Sequence, residues 1–421
     1  MAYEELRQFL SDLQFPVLGK GNLSVVLDCY FNKMLKDLKD ISCNCDYINV
    51  FDYEVVEKTT QKLQSLIKKS ESNKVKNIDL EFNKLFNSIQ WHVFDLGHNF
   101  AEFYKIRPIE KKDEENAKTW QWRDLYFLPK RLIKNANECR FSRKGSIALY
   151  LSGQLPIAWE ECGEPQSFAF SKFSFSKYES FKTLYLRAPS EYSQDICTGE
   201  IRESTSIARY MEMLPIIIAC TVEYNKNYMK NAYYVSNQLS RWVSKNKEIC
   251  GITYWTAKSQ FYSICGFFGK YNVVIPLKNK EQDYRLDKKI NQYMCMTEPK
   301  IVSIKEMLHF DKLTVQMVDN ARKEYLKYIK HEKNGLNYYF FNVVKKIAVD
   351  SQKGEHVNSN LITILHMLRM LIWSNVVQIE KCGENCKQLV NVINEICLKQ
   401  EFFNDYDTNR YISVADVVEE E

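Results

Sequence analysis

The sequence predicts an α+β protein in which a strand-containing middle segment lies between two helical regions. Three observations support this class. Apolar residues recur at helical spacing over residues 1–98, aromatic and polar residues alternate in "FAFSKFSFSKY" (168–178), and helical spacing returns over 300–400. Most glycines and prolines fall in the middle segment. These changes of pattern divide the chain into regions 1–98, 99–285 and 286–421.

The first region is predicted to be helical because "YEVVEKTTQKLQSLIKKS" (53–70) and "LEFNKLFNSIQWHVF" (80–94) place apolar residues at helical intervals. A polar stretch separates them. The third region contains two similar patterns, "IKEMLHFDKLTVQMVDNARKEYLKYIK" (304–330) and the more apolar "NLITILHMLRMLIWSNVVQIE" (360–380). We therefore expect helical packing units on both sides of the middle domain.

Composition excludes several classes of protein. Of 421 residues, 45% are hydrophobic and 26% are charged, with a formal net charge of +5 and no clustered basic patch, so nucleic-acid binding is not expected. No apolar stretch reads as a membrane span, and the first residues lack the pattern of a signal peptide. Thirteen cysteines, an odd number without a secretory signal, predict a cytoplasmic protein with reduced thiols. "CNC" and "CGENC" lack the spacing of zinc ligands, so no metal site is predicted.

The middle segment contains the stretch "CRFSRKGSIALYLSG" (139–153), a basic loop that leads into a strand. Because side chains alternate along a strand, we expect one face of this strand to pack in the core. The other face would line a cleft or cover the edge of the core. The two faces are Ile147, Leu149 and Leu151, and Ala148, Tyr150 and Ser152.

A short helix is predicted directly after this strand, in "GQLPIAWEECG" (153–163), because Pro156 suits a first helical turn. Ala158 and Glu161 are three residues apart and share a helix face. The helix would return Glu161 towards the strand end that carries Tyr150. Glu160 and Glu161 are adjacent, so only one of them can face inward.

This block resembles the core motif of the RES domain family, which is named for its Arg, Glu and Ser residues. The matching positions are Arg140-Phe141, Gly145, "ALYL" (148–151), Ala158 and Glu161. The match selects Glu161 rather than Glu160. The resemblance covers the middle region and implies an NAD-degrading bacterial toxin whose mixed-sheet fold is related to that of ADP-ribosyltransferases.

Two further stretches resemble the family's motifs with one departure each. "FYKIRP" (103–108) resembles the opening strand, where Lys105 replaces the first arginine and Arg107 keeps the second. "CGITYWTAKS" (250–259) resembles a Gly-Ile-x-Tyr-x-Ser motif, where Tyr254 matches and Thr256 holds the serine position. Ser259, three residues after Thr256, is the less favoured candidate for the serine of the motif.

The resemblance implies a catalytic role for four of these residues. The bond between nicotinamide and ribose breaks through an oxocarbenium-like state, which the carboxylate of Glu161 would stabilise, or Glu161 would orient the ribose hydroxyls. Tyr150 would contact the nicotinamide ribose end, and Thr256 would bind the substrate or position the acceptor. Arg140 would bind the pyrophosphate through its guanidinium fork.

Substrate binding is expected to involve Arg107, Lys105 and Tyr254 together with Arg140 and Tyr150. Arg107 would supply a second bidentate contact to the pyrophosphate, and Lys105 would supply charge without the fork.

The sequence therefore predicts an NAD phosphorylase or NAD glycohydrolase acting as a bacterial toxin or defence effector. NAD is the substrate, inorganic phosphate is a second substrate in the case of phosphorolysis, and no cofactor is required. An ADP-ribosyltransferase that modifies a macromolecule and a catalytically inactive interaction protein are the alternatives. The expected protein partners are an antitoxin or regulatory protein and a second copy of the chain, bound through the helical flanks.

Overall fold

The computed structural model describes most of the chain. It covers residues 3–13, 15–43, 50–72, 77–99, 102–128, 130–175, 180–199, 201, 203–223, 229–256, 271–278, 288–303, 314–328, 335–352, 382–400 and 412–413. The predicted helix over 360–380 and Ser259 lie outside these residues, as does the first part of the pattern at 304–330.

The N-terminal region is mainly helical, as its apolar periodicity predicts, but the predicted helix over 80–94 is too long because Val93 already lies in a strand. The side chain of Asp52 begins α3 by accepting a hydrogen bond of 2.9 Å from the backbone N–H of Glu54. The elements are α1 (Glu4–Asp12), β1 (Gly21–Asn22), α2 (Leu23–Ser42), α3 (Tyr53–Glu71) and α4 (Ile78–Ser88).

The middle of the chain alternates strands with helices. Its first half contains β2 (Val93–Asp95), α5 (Leu96–Asn99), β3 (Phe103–Pro108), α6 (Glu114–Ala117), α7 (Trp122–Leu125), β4 (Ala148–Ser152), α8 (Leu155–Glu161) and β5 (Ser167–Phe175). Its second half contains β6 (Lys182–Leu186), α9 (Pro189–Thr198), α10 (Ser204–Cys220), β7 (Met229–Lys230), α11 (Tyr234–Lys245), β8 (Gly251–Trp255) and β9 (Tyr271–Pro276).

The C-terminal region contains both helices and short strands. The elements are α12 (Lys288–Tyr293), β10 (Met294–Met296), β11 (Lys300–Ser303), α13 (Val315–Tyr328), α14 (Gly335–Gln352), α15 (Glu384–Gln400) and β12 (Ile412–Ser413).

Ten of the described strands form one mixed sheet in the order β12-β10-β5-β3-β4-β9-β8-β6-β2, with β11 also paired to β5. The β6–β8 pair is parallel, and the other described pairs in this sheet are antiparallel. The α+β class predicted from the sequence is therefore confirmed. The sheet extends beyond residues 99–285, because β2 precedes this range and β10, β11 and β12 follow it.

Strand register determines which residues share a face of the sheet. Tyr104 on β3 pairs with Ser152 on β4, Ser152 pairs with Asn272 on β9, and Asn272 pairs with Tyr254 on β8. We call the face that carries these four side chains the front face. Because side chains alternate, Tyr150 also lies on the front face.

Helices cover the front face from two directions. Trp159 on α8 packs with Tyr104, next to α13, α14 and α15. Leu184 and Val274, on β6 and β9, join a second cluster with the N-terminal helices, α10 and α11. The predicted core residues Ile147, Leu149 and Leu151 are buried on the opposite, back face, in a cluster with Trp122 of α7 and with Tyr126 and Phe127, which follow this helix. In the part of the chain that the structure describes, no helix is long and apolar enough to cross a membrane.

Candidate active site

The carboxylate of Glu161 lies at the C-terminal end of α8, and two donors from the sheet bind it. Its Oε1 accepts a hydrogen bond of 2.5 Å from Thr256 Oγ1 and one of 3.1 Å from Asn272 Nδ2. The helix ends here because Gly163 adopts the left-handed conformation, with φ of 82°. Thr256 is completely buried and Glu161 is half-buried, so the hydroxyl donor lies inside the protein while the carboxylate stays partly exposed.

Ser152 determines the orientation of the Asn272 amide. Its Oγ donates a hydrogen bond of 2.6 Å to Asn272 Oδ1, so the amide oxygen faces Ser152 and the amide nitrogen faces Glu161. Ser152 and Asn272 are both buried. No motif of the sequence singles out Asn272, and the signal that reveals it is its pairing with Ser152 across β4 and β9.

Tyr150 joins strand β4 to the basic loop that precedes it. Its hydroxyl donates a hydrogen bond of 3.0 Å to Ser142 Oγ and accepts one of 3.2 Å from the backbone N–H of Phe141. Burial raises the pKa of the Tyr150 hydroxyl, so it is protonated at neutral pH. The loop turns at Gly145, where φ is 76°, a conformation that suits glycine.

Arg140 is held by the C-terminal end of α10 and by the ring of Tyr233. Its Nη1 donates a hydrogen bond of 2.8 Å to the carbonyl of Cys220, and its guanidinium lies 5.6 Å from the ring centroid of Tyr233. A cation is favourable at this position because a helix C-terminus carries partial negative charge. The hydroxyl of Ser236 also donates to the carbonyl of Arg140.

Tyr254 is the buried residue that connects these groups. Its ring lies 4.6 Å from that of Phe141. Burial raises the pKa of the Tyr254 hydroxyl most, the charge of Glu161 and the neighbouring Tyr150 raise it further, and the charge of Arg140 opposes them. Thr256 binds Glu161, and Phe141 links Tyr254, Tyr150 and the neighbouring Arg140, so contacts on the front face connect five of the predicted site residues.

Lys105 and Arg107 lie on the back face, because they alternate with Tyr104 along β3. Lys105 Nζ donates a hydrogen bond of 2.5 Å to the carbonyl of Tyr126. Arg107 Nη1 donates one of 3.2 Å to the carbonyl of Asp124, and its guanidinium lies 3.9 Å from the ring centroid of Trp120. The sheet thus separates these two cations from the Glu161 cluster, with which sequence reasoning had grouped them.

No metal centre is formed by the described residues, which contain no group of three or more His, Cys, Asp or Glu arranged to hold an ion. Comparison with protein-family models, with curated proteins and with solved structures finds no match.

Proposed function

We propose that this protein cleaves the bond between nicotinamide and ribose in NAD, the reaction that the resemblance to the RES family implies. The observation that carries the proposal is the carboxylate of Glu161, which accepts hydrogen bonds from Thr256 and Asn272. Tyr254, two residues before Thr256, packs against Phe141, which follows Arg140 in the chain and donates its backbone N–H to the hydroxyl of Tyr150.

In this reaction the bonding electron pair passes to the pyridinium nitrogen, so nicotinamide leaves as a neutral molecule and positive charge develops at the ribose carbon. A carboxylate close to that carbon stabilises the transition state more than the substrate. The donors from Thr256 and Asn272 hold Glu161 in place before substrate binds, so little reorganisation is needed during the reaction.

The pyrophosphate of NAD needs fixed positive donors, and Arg140 is the arginine of the front-face cluster. One of its five N–H groups donates to the carbonyl of Cys220, and the remaining N–H groups of the guanidinium can donate to a phosphate oxygen. Lys105 and Arg107, on the back face, are not part of the proposed site. The presence of lysine rather than arginine at position 105 is therefore not evidence that the protein is inactive.

The threonine at position 256 also agrees with an active enzyme. A serine and a threonine share the hydroxyl, and here the hydroxyl of Thr256 donates to Glu161. This bond favours an NAD-consuming enzyme over an interaction protein that has lost its catalytic residues.

Three acceptors for the ribosyl group lead to three sets of products. Water gives ADP-ribose, nicotinamide and a proton. Inorganic phosphate gives ADP-ribose 1-phosphate and nicotinamide, and a protein or nucleic acid gives an ADP-ribosylated macromolecule and nicotinamide.

The test is incubation of the purified protein with NAD, with and without phosphate, followed by product analysis. Glu161→Gln is the inactive control, and Glu160→Gln, at the adjacent carboxylate, is the matched control that should retain activity. Nicotinamide release that requires an added macromolecule would identify an ADP-ribosyltransferase. If the wild-type protein releases no more nicotinamide than Glu161→Gln under any of these conditions, the proposal is wrong.

We further propose that this activity makes the protein a bacterial toxin or defence effector that is held inactive in the cytoplasm by an antitoxin or regulatory protein. Induced expression should deplete cellular NAD and arrest growth, whereas expression of Glu161→Gln to the same level should do neither. Unchanged NAD after expression of the wild-type protein alone would contradict this role.

A further inference from the structure

A cleft of about 320 Å³ lies between the basic loop and α11, and none of the residues that line it belongs to the predicted active site. Residues 141–148 form one wall, and α11 forms the other. The cleft contacts Ala148, at the first residue of β4, whereas the Glu161 cluster includes Ser152, at its last residue. Strand geometry puts these two positions about 13 Å apart.

The charged residues that line this cleft are all cations. Arg143 and Lys144 come from the loop, and Arg241 comes from α11. Two carboxylates lie beside these cations: Asp79 on α4 forms an ion pair with Arg241 and lies 3.7 Å from Arg143 Nη2, and Glu138 binds the cleft residue Asn237. Two carboxylates do not neutralise three cations, and Lys144 is exposed. The cleft therefore favours an anionic ligand.

Asn237 is a second, independent indication of a ligand. It lines the cleft, is 4% exposed, and its Nδ2 donates a hydrogen bond of 3.1 Å to Glu138 Oε1. A carboxylate only accepts hydrogen bonds, so this contact identifies the other amide atom as the oxygen. Asn237 Oδ1 is buried and has no hydrogen-bond donor among the described residues. A buried acceptor without a donor is uncommon in a folded protein.

The remaining walls combine an apolar surface with hydroxyl groups. Ile133 and Ala148, both half-buried, offer apolar contact, and Ser240 adds a hydroxyl from α11. A nucleotide combines a flat base, which suits the apolar walls, with a phosphate, which suits the cations. The volume falls at the lower end of the range for small-molecule sites, about 300–1,000 Å³. From the cleft, its charge and the buried amide, we infer that this protein has a separate binding site for a nucleoside monophosphate.

Packed residues separate this cleft from the Glu161 cluster. The ring of Phe141 lies against that of Tyr254, and the hydroxyl of Tyr150 binds both Phe141 and Ser142. Ser142 also lines the cleft, so a ligand bound there would contact the residue that holds Tyr150. The site is therefore additional to the one proposed for NAD cleavage. A ligand bound in it would contact Ser142 and so affect the position of Tyr150.

The test measures binding of AMP to the full-length protein by titration calorimetry at low salt. The variant Arg143→Gln/Lys144→Gln removes two charges from the cleft and should weaken AMP binding at least about tenfold. Lys118→Gln/Lys346→Gln, which removes two exposed charges outside the cleft, should bind AMP like the wild-type protein. Adenosine, which lacks the phosphate, should bind at least about tenfold more weakly than AMP.

Glu161→Gln should bind AMP as the wild-type protein does, which keeps this result independent of NAD cleavage. AMP binding without any NAD cleavage would overturn the proposed function and leave the site standing. No binding of AMP to the wild-type protein at about 1 mM, or equal binding to the charge-neutralised variant, would overturn the site. Competitive displacement of NAD by AMP from Glu161→Gln would place the cleft within the substrate site and overturn its separate role.

Discussion

Asn272 Nδ2 lies 3.1 Å from Glu161 Oε1, and this contact joins a strand in the centre of the sheet to the carboxylate on α8. Ser152 turns the amide towards Glu161 by donating to Asn272 Oδ1. The carboxylate thus depends on a buried pair of residues that do not themselves need to touch the substrate.

We expect Asn272→Asp to lower nicotinamide release from NAD by at least about tenfold, because it replaces a donor with a second negative charge beside Glu161. One of the two carboxyl groups would retain a proton to higher pH, so the acidic limb of the pH–rate profile should move to higher pH. Ser152→Ala, which removes only the group that orients the amide, should cause a smaller loss. An unchanged pH profile for Asn272→Asp would contradict the positioning role.

The second prediction concerns the hydroxyl of Thr256. Thr256→Ser keeps the donor to Glu161 and should retain activity within about threefold, whereas Thr256→Val keeps the shape and should lose about tenfold or more. Steady-state measurement of kcat and KM for NAD distinguishes them. Equal activity of the valine and serine variants would show that this hydrogen bond does not contribute to catalysis.

The third prediction concerns Tyr150 and the loop that it holds. Tyr150→Phe leaves the backbone N–H of Phe141 and the hydroxyl of Ser142 without this partner, so the free energy of unfolding should fall by about 1–3 kcal/mol. Urea unfolding monitored by tryptophan fluorescence measures this change. Ser142→Ala removes one of the two hydrogen bonds and should lower the free energy of unfolding by less than Tyr150→Phe does. A larger loss for Ser142→Ala would contradict the role given to the Tyr150 hydroxyl.

The fourth prediction concerns Lys105, the cation of the back face. Burial lowers the pKa of Lys105 from 10.5 to about 8. Between these two values the unfolded chain keeps the proton and the folded protein loses it, so stability should rise as pH increases from about 8 to 10.5. Below pH 8 both states are protonated, and the full cost of burying the charge remains.

Lys105→Met removes this titration. It should stabilise the protein at pH 7 by about 1–2 kcal/mol, after allowance for partial exposure and for the lost bond to Tyr126, and it should flatten the rise between pH 8 and 10.5. Urea unfolding of both proteins at several pH values measures the difference in slope. Its activity at pH 7 should stay close to that of the wild-type protein, because Lys105 lies on the face opposite to Glu161. A large loss of activity in the folded variant would contradict that separation.

Local sequence patterns predicted several elements of the fold that the structure describes. The alternation around Tyr150 identified β4 and its core-facing residues, and Pro156 identified the start of α8. Such patterns succeed because side-chain direction within one strand or helix depends on residues close together in the chain. The resemblance further selected Arg140, Tyr150, Glu161, Tyr254 and Thr256, which the fold brings together.

The sequence by itself determined the α+β class and the predominantly helical N-terminal region, and the resemblance selected five residues of the candidate site. Only the tertiary structure decided that Asn272 meets Glu161, that Lys105 and Arg107 lie across the sheet from it, and that Arg143 lines a separate cleft. The physical reason is strand register: pairing of Tyr104 with Ser152 and of Ser152 with Asn272 assigns each side chain to a face, and these pairings join residues far apart in the chain.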